Sequence, residues 1–76
     1  MDEDTVELSS GWFDPTVEPK KERVEQTVGK IAGASYREEA DGNDVRYVVH
    51  VPRAMKIDAM KELTIETGMF WAAKES

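Results

Sequence analysis

The chain contains no cysteine and a single histidine, and these two shortages exclude common ways of stabilising a small protein. No disulfide can form, and His50 alone cannot supply the His/Cys set of a structural zinc site. A chain of 76 residues also buries a smaller share of its surface than larger domains do. We therefore expect one α+β domain covering residues 1–76, held by a hydrophobic core or by a core shared with a partner.

Long apolar runs are also missing, and basic residues are in the minority. No segment approaches the length of a membrane span, and the acidic start Met-Asp-Glu-Asp has the wrong charge for a signal or transit peptide. Ten Lys and Arg face sixteen Asp and Glu, and the formal charge of −6 disfavours binding to nucleic acids and anionic membranes. The sequence predicts a cytoplasmic protein, with residues 1–4 disordered.

Residues 35–51 predict a β-hairpin. Two runs of β-forming residues flank Asp41, Gly42, Asn43 and Asp44, a composition that supplies the positive φ angles of tight turns. A two-residue and a four-residue loop give the same register, which makes one hairpin face apolar, as a half-buried sheet requires. The predicted pairs are Ala40 with Val45, Glu38 with Tyr47, Tyr36 with Val49, Glu39 with Arg46, Arg37 with Val48 and Ser35 with His50.

A strand and a helix are predicted before the hairpin. Alternation from Thr5 places Val6, Leu8 and, past Ser10, Trp12 on one strand face, and Asp14-Pro15 ends the strand. Residues 16–33 carry helix signals, with Pro19 suited to the first position and Gly33 to the C-terminal cap. Gly29 within this helix favours a close helix-to-sheet approach. The predicted buried stripe is Val24, Val28 and Ile31.

A second helix and a last strand are predicted after the hairpin. The helix occupies Arg53 to Thr67, either throughout or only from Asp58 as N-cap, and Gly68 stops it. The residues expected to face inward are Met60 and Leu63, with Ile57 or Ala59 beside them. Residues 69–73 are apolar and aromatic and predict the last strand.

The predicted order is strand, helix, strand, strand, helix, strand. This β-α-β-β-α-β order is the ferredoxin-like plan, a four-stranded antiparallel sheet with two helices on one face. A three-stranded α+β sheet with the same hairpin is the alternative if the first strand does not join.

The uncovered sheet face is the candidate interaction surface. We expect the chain to act as a non-enzymatic protein-interaction domain, as a homodimer through this face or with another protein. Two other hypotheses are a small-molecule sensor domain that binds at a dimer interface and an RNA-binding sheet. The candidate residues of the surface are Trp12, Arg37, Arg46, Val48, His50, Phe70 and Trp71.

Catalytic, metal and cofactor sites receive no support from the sequence. Ser35 lies opposite His50, but no nucleophile elbow accompanies them. The acidic hairpin turn does not fit a calcium loop, because aligning Gly42 with the invariant glycine puts Arg37 and Val48 at ligand positions. We expect no catalytic residue, no metal and no cofactor.

Overall fold

The computed structural model describes residues 4–14, 16 and 20–74. Its sheet and helices follow the predicted order, with a short 3₁₀ turn at Arg53–Met55 before the second helix. In chain order the elements are β1 (Thr5–Ser10), α1 (Lys21–Lys30), β2 (Ser35–Asp41), β3 (Asp44–Pro52), α2 (Lys56–Thr67) and β4 (Trp71–Lys74).

The four strands form one antiparallel sheet in the order β2-β3-β1-β4. Side chains of both helices share one core with alternate residues of β1 and β3, so both helices pack against the same sheet face. The protein is therefore an α+β domain with a four-stranded antiparallel sheet and two helices. The buried residues of this core are Val6, Leu8, Val24, Val28, Ile31, Tyr47, Val49, Val51, Ala59, Leu63 and Trp71.

The hairpin prediction is confirmed pair by pair. All six predicted pairs occur, and Asp41 opposite Asp44 closes the ladder. Gly42 has a φ of 64°, while Asn43 has a negative φ, which is the sign pattern of a type II′ turn. The turn chemistry fixed the register, and the register placed Tyr47 and Val49 in the core.

The end of β1 differs from the prediction because the chain contains a β-bulge. Ser9 pairs with Val48, yet the next paired residue toward the end of the strand is Phe13, opposite Val45, so this side holds one extra residue. The hydroxyl of Ser10 accepts the backbone N–H of Tyr47, which the bulge would otherwise leave unpaired. The extra residue reverses the alternation, so the prediction that Trp12 shares a strand face with Val6 and Leu8 is wrong.

Helix α1 is shorter than its sequence signals. It begins at Lys21, ends at Lys30 and buries Val24 and Val28, and Ile31 after it is also buried. The expected role of Pro19 lies outside the described residues. Gly33 has a φ of 78°, but it belongs to the following turn and not to the helix cap. Gly29 is exposed with open space around it, so the predicted close approach to the sheet is wrong.

Helix α2 ends as predicted and begins differently. Gly68 adopts the left-handed conformation that stops the helix, with a φ of 70°. Asp58 lies in the first turn and is not the N-cap, because the helical backbone already begins with the 3₁₀ turn at Arg53. Leu63 and Ala59 are fully buried, and Ile57 is exposed.

Hydrogen bonds near both ends of the described chain hold it to this core. The backbone N–H of Arg53 donates to the carbonyl of Asp4, so this hydrogen bond continues the β1–β3 ladder beyond the Thr5–Pro52 pair. Of the tail predicted at residues 1–4, residues 1–3 lie outside the described residues. At the other end, Trp71 Nε1 donates to Thr67 Oγ1 at 3.1 Å, and the Thr67 hydroxyl in turn donates to the Leu63 carbonyl.

Candidate interaction surface

The sheet face opposite the helices is lined by residues that alternate with the core positions. One row across the strands is Arg37, Val48 and Ser9, and the next is Ser35, His50 and Glu7. Ala72 and Lys74 of β4 lie opposite Ser9 and Glu7 and continue the rows. This face therefore brings Arg37, Val48 and His50 together, as the sequence predicts.

Four charged side chains form a connected network on this face, which we call the charge ladder: Glu7, Arg37, Glu39 and Arg46. Arg46 donates to Glu39 Oε1 at 2.7 Å, which confirms the predicted cross-strand pair. Arg37 reaches Glu39 at 3.1 Å and Glu7 at 3.2 Å, and so joins β2 to β1 across the strand between them. The charges of this face are therefore largely satisfied by one another.

Two members of the charge ladder, Glu39 and Arg37, have shifted pKa values. Hydrogen bonds from Arg46 and Arg37 hold the pKa of Glu39 below its usual value of 4.5. The hydrogen bond to Glu39 raises the pKa of Arg37 further above its ordinary range. Both effects favour the charged forms of Glu39 and Arg37.

Val48 is buried although no helix covers it. Only 1% of its surface is exposed, as little as for core residues on the other face. It lies between Arg37 on β2 and Ser9 on β1, and the stems of long charged side chains can cover such an apolar position. Val48 therefore lies beneath this face and offers little surface of its own to a partner.

His50 contacts the charge ladder and not a serine. Arg37 Nη1 lies 2.6 Å from His50 Nε2, and a guanidinium carries only donors, so this ring nitrogen is the acceptor in that contact. Glu7 Oε1 lies 3.6 Å from the same nitrogen. Ser35 is the cross-strand neighbour of His50, as predicted, but the imidazole is engaged with Arg37. The arrangement is that of a hydrogen-bonded surface histidine.

Exposed aromatic side chains lie beside the charge ladder, where the end of β1 pairs with the start of β4. Trp12 is 45% exposed, and its ring lies 4.8 Å from the guanidinium carbon of Arg46. Phe70, just before β4, is 90% exposed, the largest value among the exposed large hydrophobic residues of the described chain. The two rings line one shallow groove of about 200 Å³ with Gly11, Phe13 and Met69. We call this region the aromatic end.

Trp71 requires a correction among the predicted surface residues. Only 7% of it is exposed, because alternation along β4 turns it to the helix side, where Thr67 accepts its indole N–H. The two tryptophans thus lie in opposite environments, and Trp12 alone reaches the surface.

Sequence reasoning does not place Glu7 in the network with Arg37. These residues lie on strands separated by β3, so their contact depends on the strand order and on the β1 register. The usable signal is the ferredoxin-like order itself, which predicts β1 beside β3. It leaves the β1 register open, because no short turn links these strands.

Metal and membrane sites find no support in the described part of the chain. Residues 4–14, 16 and 20–74 contain no group of three or more His, Cys, Asp or Glu side chains able to hold a metal ion. None of the helices described is long and apolar enough to cross a bilayer.

The RNA hypothesis gains little from this geometry. RNA-binding sheets stack bases on aromatic rings of the middle strands. In β1 and β3 the positions on the uncovered face include Glu7, Ser9, Arg46, Val48 and His50, none of which offers a phenyl or indole ring.

Comparison with known proteins adds no assignment. Neither a scan against protein-family models nor a search of curated proteins returned a match.

Proposed function

We propose that this chain is a small, non-enzymatic protein-interaction domain that acts as a homodimer and is built on the ferredoxin-like plan. The order β2-β3-β1-β4 supports that plan, since from the other edge it reads β4-β1-β3-β2, with α1 between β1 and β2 and α2 between β3 and β4. The engagement of His50 and the nearby carboxylates in ion pairs and hydrogen bonds supports a structural use of these groups over a catalytic one.

The exposure of Phe70 carries the interaction proposal. A phenylalanine left 90% exposed beside a half-exposed tryptophan gives up the free energy that burial would supply, roughly 1.5–3 kcal/mol for a side chain of this size. Clustered exposed aromatic residues are typical of protein-binding surfaces. The aromatic end is therefore the part of the surface that gains most from a partner.

The centre of the uncovered face is less suited to burial. Its ion pairs are already made, and a partner would have to desolvate Arg37, Glu39 and Arg46 to cover them. We therefore place the contact at the aromatic end, with the charge ladder as a polar rim that stays hydrated.

Self-association is the form of interaction that the chain's size favours. A 76-residue chain without disulfides has a small core, and a second copy would add buried apolar surface. The charge of −6 on each copy opposes association at long range, so added salt should strengthen the dimer.

Sedimentation equilibrium over a range of concentrations tests this proposal. We expect the wild type to approach twice its mass of 8.6 kDa and Phe70→Ser to remain a monomer. Ile65→Ser is the matched control, because Ile65 is 74% exposed on α2 and its loss should leave the dimer unchanged. A monomeric wild type at several hundred micromolar contradicts the homodimer, and equal dimers in all three proteins contradict the aromatic end as its contact.

A small-molecule sensor is a second candidate, favoured by the groove at the aromatic end. Its volume of about 200 Å³ is below the roughly 300–1,000 Å³ of typical ligand sites, so a second copy would be needed to complete it. A thermal-shift screen with aromatic metabolites tests it, since ligand at a hundred times its Kd stabilises by about 2.7 kcal/mol. The shift should disappear in Phe70→Ser, and no shift with any compound argues against this candidate.

A further inference from the structure

The two edges of the sheet differ in how well they are protected against pairing. The β2 edge carries Arg37, Glu38, Glu39 and Asp41 among its seven residues, and such charges discourage another strand from adding. The β4 edge, Trp-Ala-Ala-Lys, carries one charge, two small side chains and no proline. Resting on the homodimer proposed above, we propose that two copies join through antiparallel pairing of their β4 strands, with Ala72 on the two-fold axis.

The backbone hydrogen bonds determine which β4 groups face outward. Arg53 N–H donates to Asp4, so even-numbered residues of β1 before the bulge point toward β3. Past the bulge the parity shifts by one residue, and there Phe13 and Val45 exchange both of their backbone bonds. Odd-numbered residues of β1 therefore point toward β4, where Ser9 meets Ala72 and Glu7 meets Lys74. The N–H and C=O groups of Trp71 and Ala73 are consequently directed to the free edge.

These outward groups select one register for a two-fold pair. Centring the axis on Ala72 sets Trp71 of each copy opposite Ala73 of the other, which forms two hydrogen-bonded pairs within β4. With the two-fold axis on Trp71 or on Ala73, only one hydrogen-bonded pair lies within the two β4 strands. The register on Ala72 therefore satisfies both outward residues of each copy.

The same register gives the exposed phenylalanine a partner. Position 70 of one copy then lies opposite position 74 of the other, so each Phe70 ring meets a Lys74 side chain. A lysine contributes an apolar stem and an ammonium group, both of which interact favourably with an aromatic face. The pairing also keeps the two Lys74 charges apart, which avoids like charges directly opposite each other.

Site-specific oxidation tests the axis, because the chain has no cysteine of its own. In a non-hydrogen-bonded antiparallel pair the Cα atoms are about 4.5 Å apart, within the range of disulfides. We expect Ala72→Cys to be converted by diamide almost completely to a disulfide-linked dimer. Ala40→Cys, exposed on the β2 edge, is the control and should cross-link at least tenfold more slowly.

The outcomes separate this inference from the proposal beneath it. A wild type that sediments as a dimer, while Ala72→Cys cross-links no faster than Ala40→Cys, overturns the β4 pairing and leaves the homodimer standing. A wild type that sediments as a monomer overturns the homodimer itself.

Proline substitution supplies a second test. Ala73→Pro removes an N–H that points to the free edge, so the fold should persist while the dimer Kd rises at least tenfold. Ala72→Pro removes an N–H that bonds to β1 and should lower the melting temperature in addition. A dimer of Ala73→Pro as tight as the wild type contradicts the pairing.

Discussion

The two faces of the sheet bury their residues by different means. On one face, the helices cover Val49, Tyr47 and Leu8 with apolar side chains. On the other, Val48 is buried as deeply although no helix covers it, and its cross-strand neighbour Arg37 is held in ion pairs. The comparison shows that a residue on the face without helices can still be buried. The exposed apolar surface lies instead at the aromatic end.

Truncating Val49 and Val48, adjacent in β3 but on opposite sheet faces, should give the largest difference in stability between the two faces. Val49→Ala leaves a cavity among packed core side chains and should cost about 1–3 kcal/mol of unfolding free energy. Val48→Ala should cost less, because the long side chains around it can settle into the space. Urea denaturation of both variants measures the difference, and equal losses would mean that the charge ladder is as rigid as the core.

Alkaline pH should weaken the helix-covered face. Burial, together with the hydrogen bond to Glu38, raises the pKa of Tyr47 to about 12 from its usual 10.0. A raised pKa gives stability that is complete below pH 10 and is lost as pH rises toward 12. Melting temperatures from pH 9 to 12 should fall less steeply in Tyr47→Phe than in the wild type, and parallel curves would contradict this assignment.

Acidic pH should weaken the charge ladder, with the smallest effect of the three. Because Arg46 and Arg37 lower the pKa of Glu39, its contribution is present above pH 4.5 and is lost as pH falls through the lowered value. Glu39→Gln should therefore show a flatter decline of melting temperature below pH 4.5. Glu62→Gln, an exposed position on α2, is the control for removal of a charge. If the melting temperatures of wild type and Glu39→Gln fell identically below pH 4.5, the stabilising role of Glu39 in the charge ladder would be contradicted.

The hairpin could be predicted pair by pair because its register depends on the turn at Asp41 to Asp44, whose Gly, Asn and Asp residues are typical of tight turns. The β1 strand could not be followed past Ser10, because a bulge adds a residue without a sequence mark that alternation can detect. Gly29 illustrates a further limit, since a glycine within a helix does not reveal whether its side faces the sheet or solvent.

The candidate surface could be predicted in part for the same reason. Arg37, Arg46, Val48 and His50 share one hairpin face, so the turn that fixes the register also brings them together. The contact of Glu7 with Arg37 crosses three strands and needs the assembled sheet. The sequence did not predict that Trp71 is buried. The sheet face on which it lies depends on where β4 begins, and β4 begins two residues after the start of the apolar run.

Amide hydrogen exchange over a range of protein concentrations tests the proposed β4 pairing most directly, since it reports on the β4 edge residue by residue. We predict that the Ala73 and Trp71 amides become protected as protein concentration rises, while the outward Glu38 and Ala40 amides of β2 exchange rapidly throughout. Ala73 exchanging as fast as Glu38 at concentrations where the chain sediments as a dimer would contradict the account.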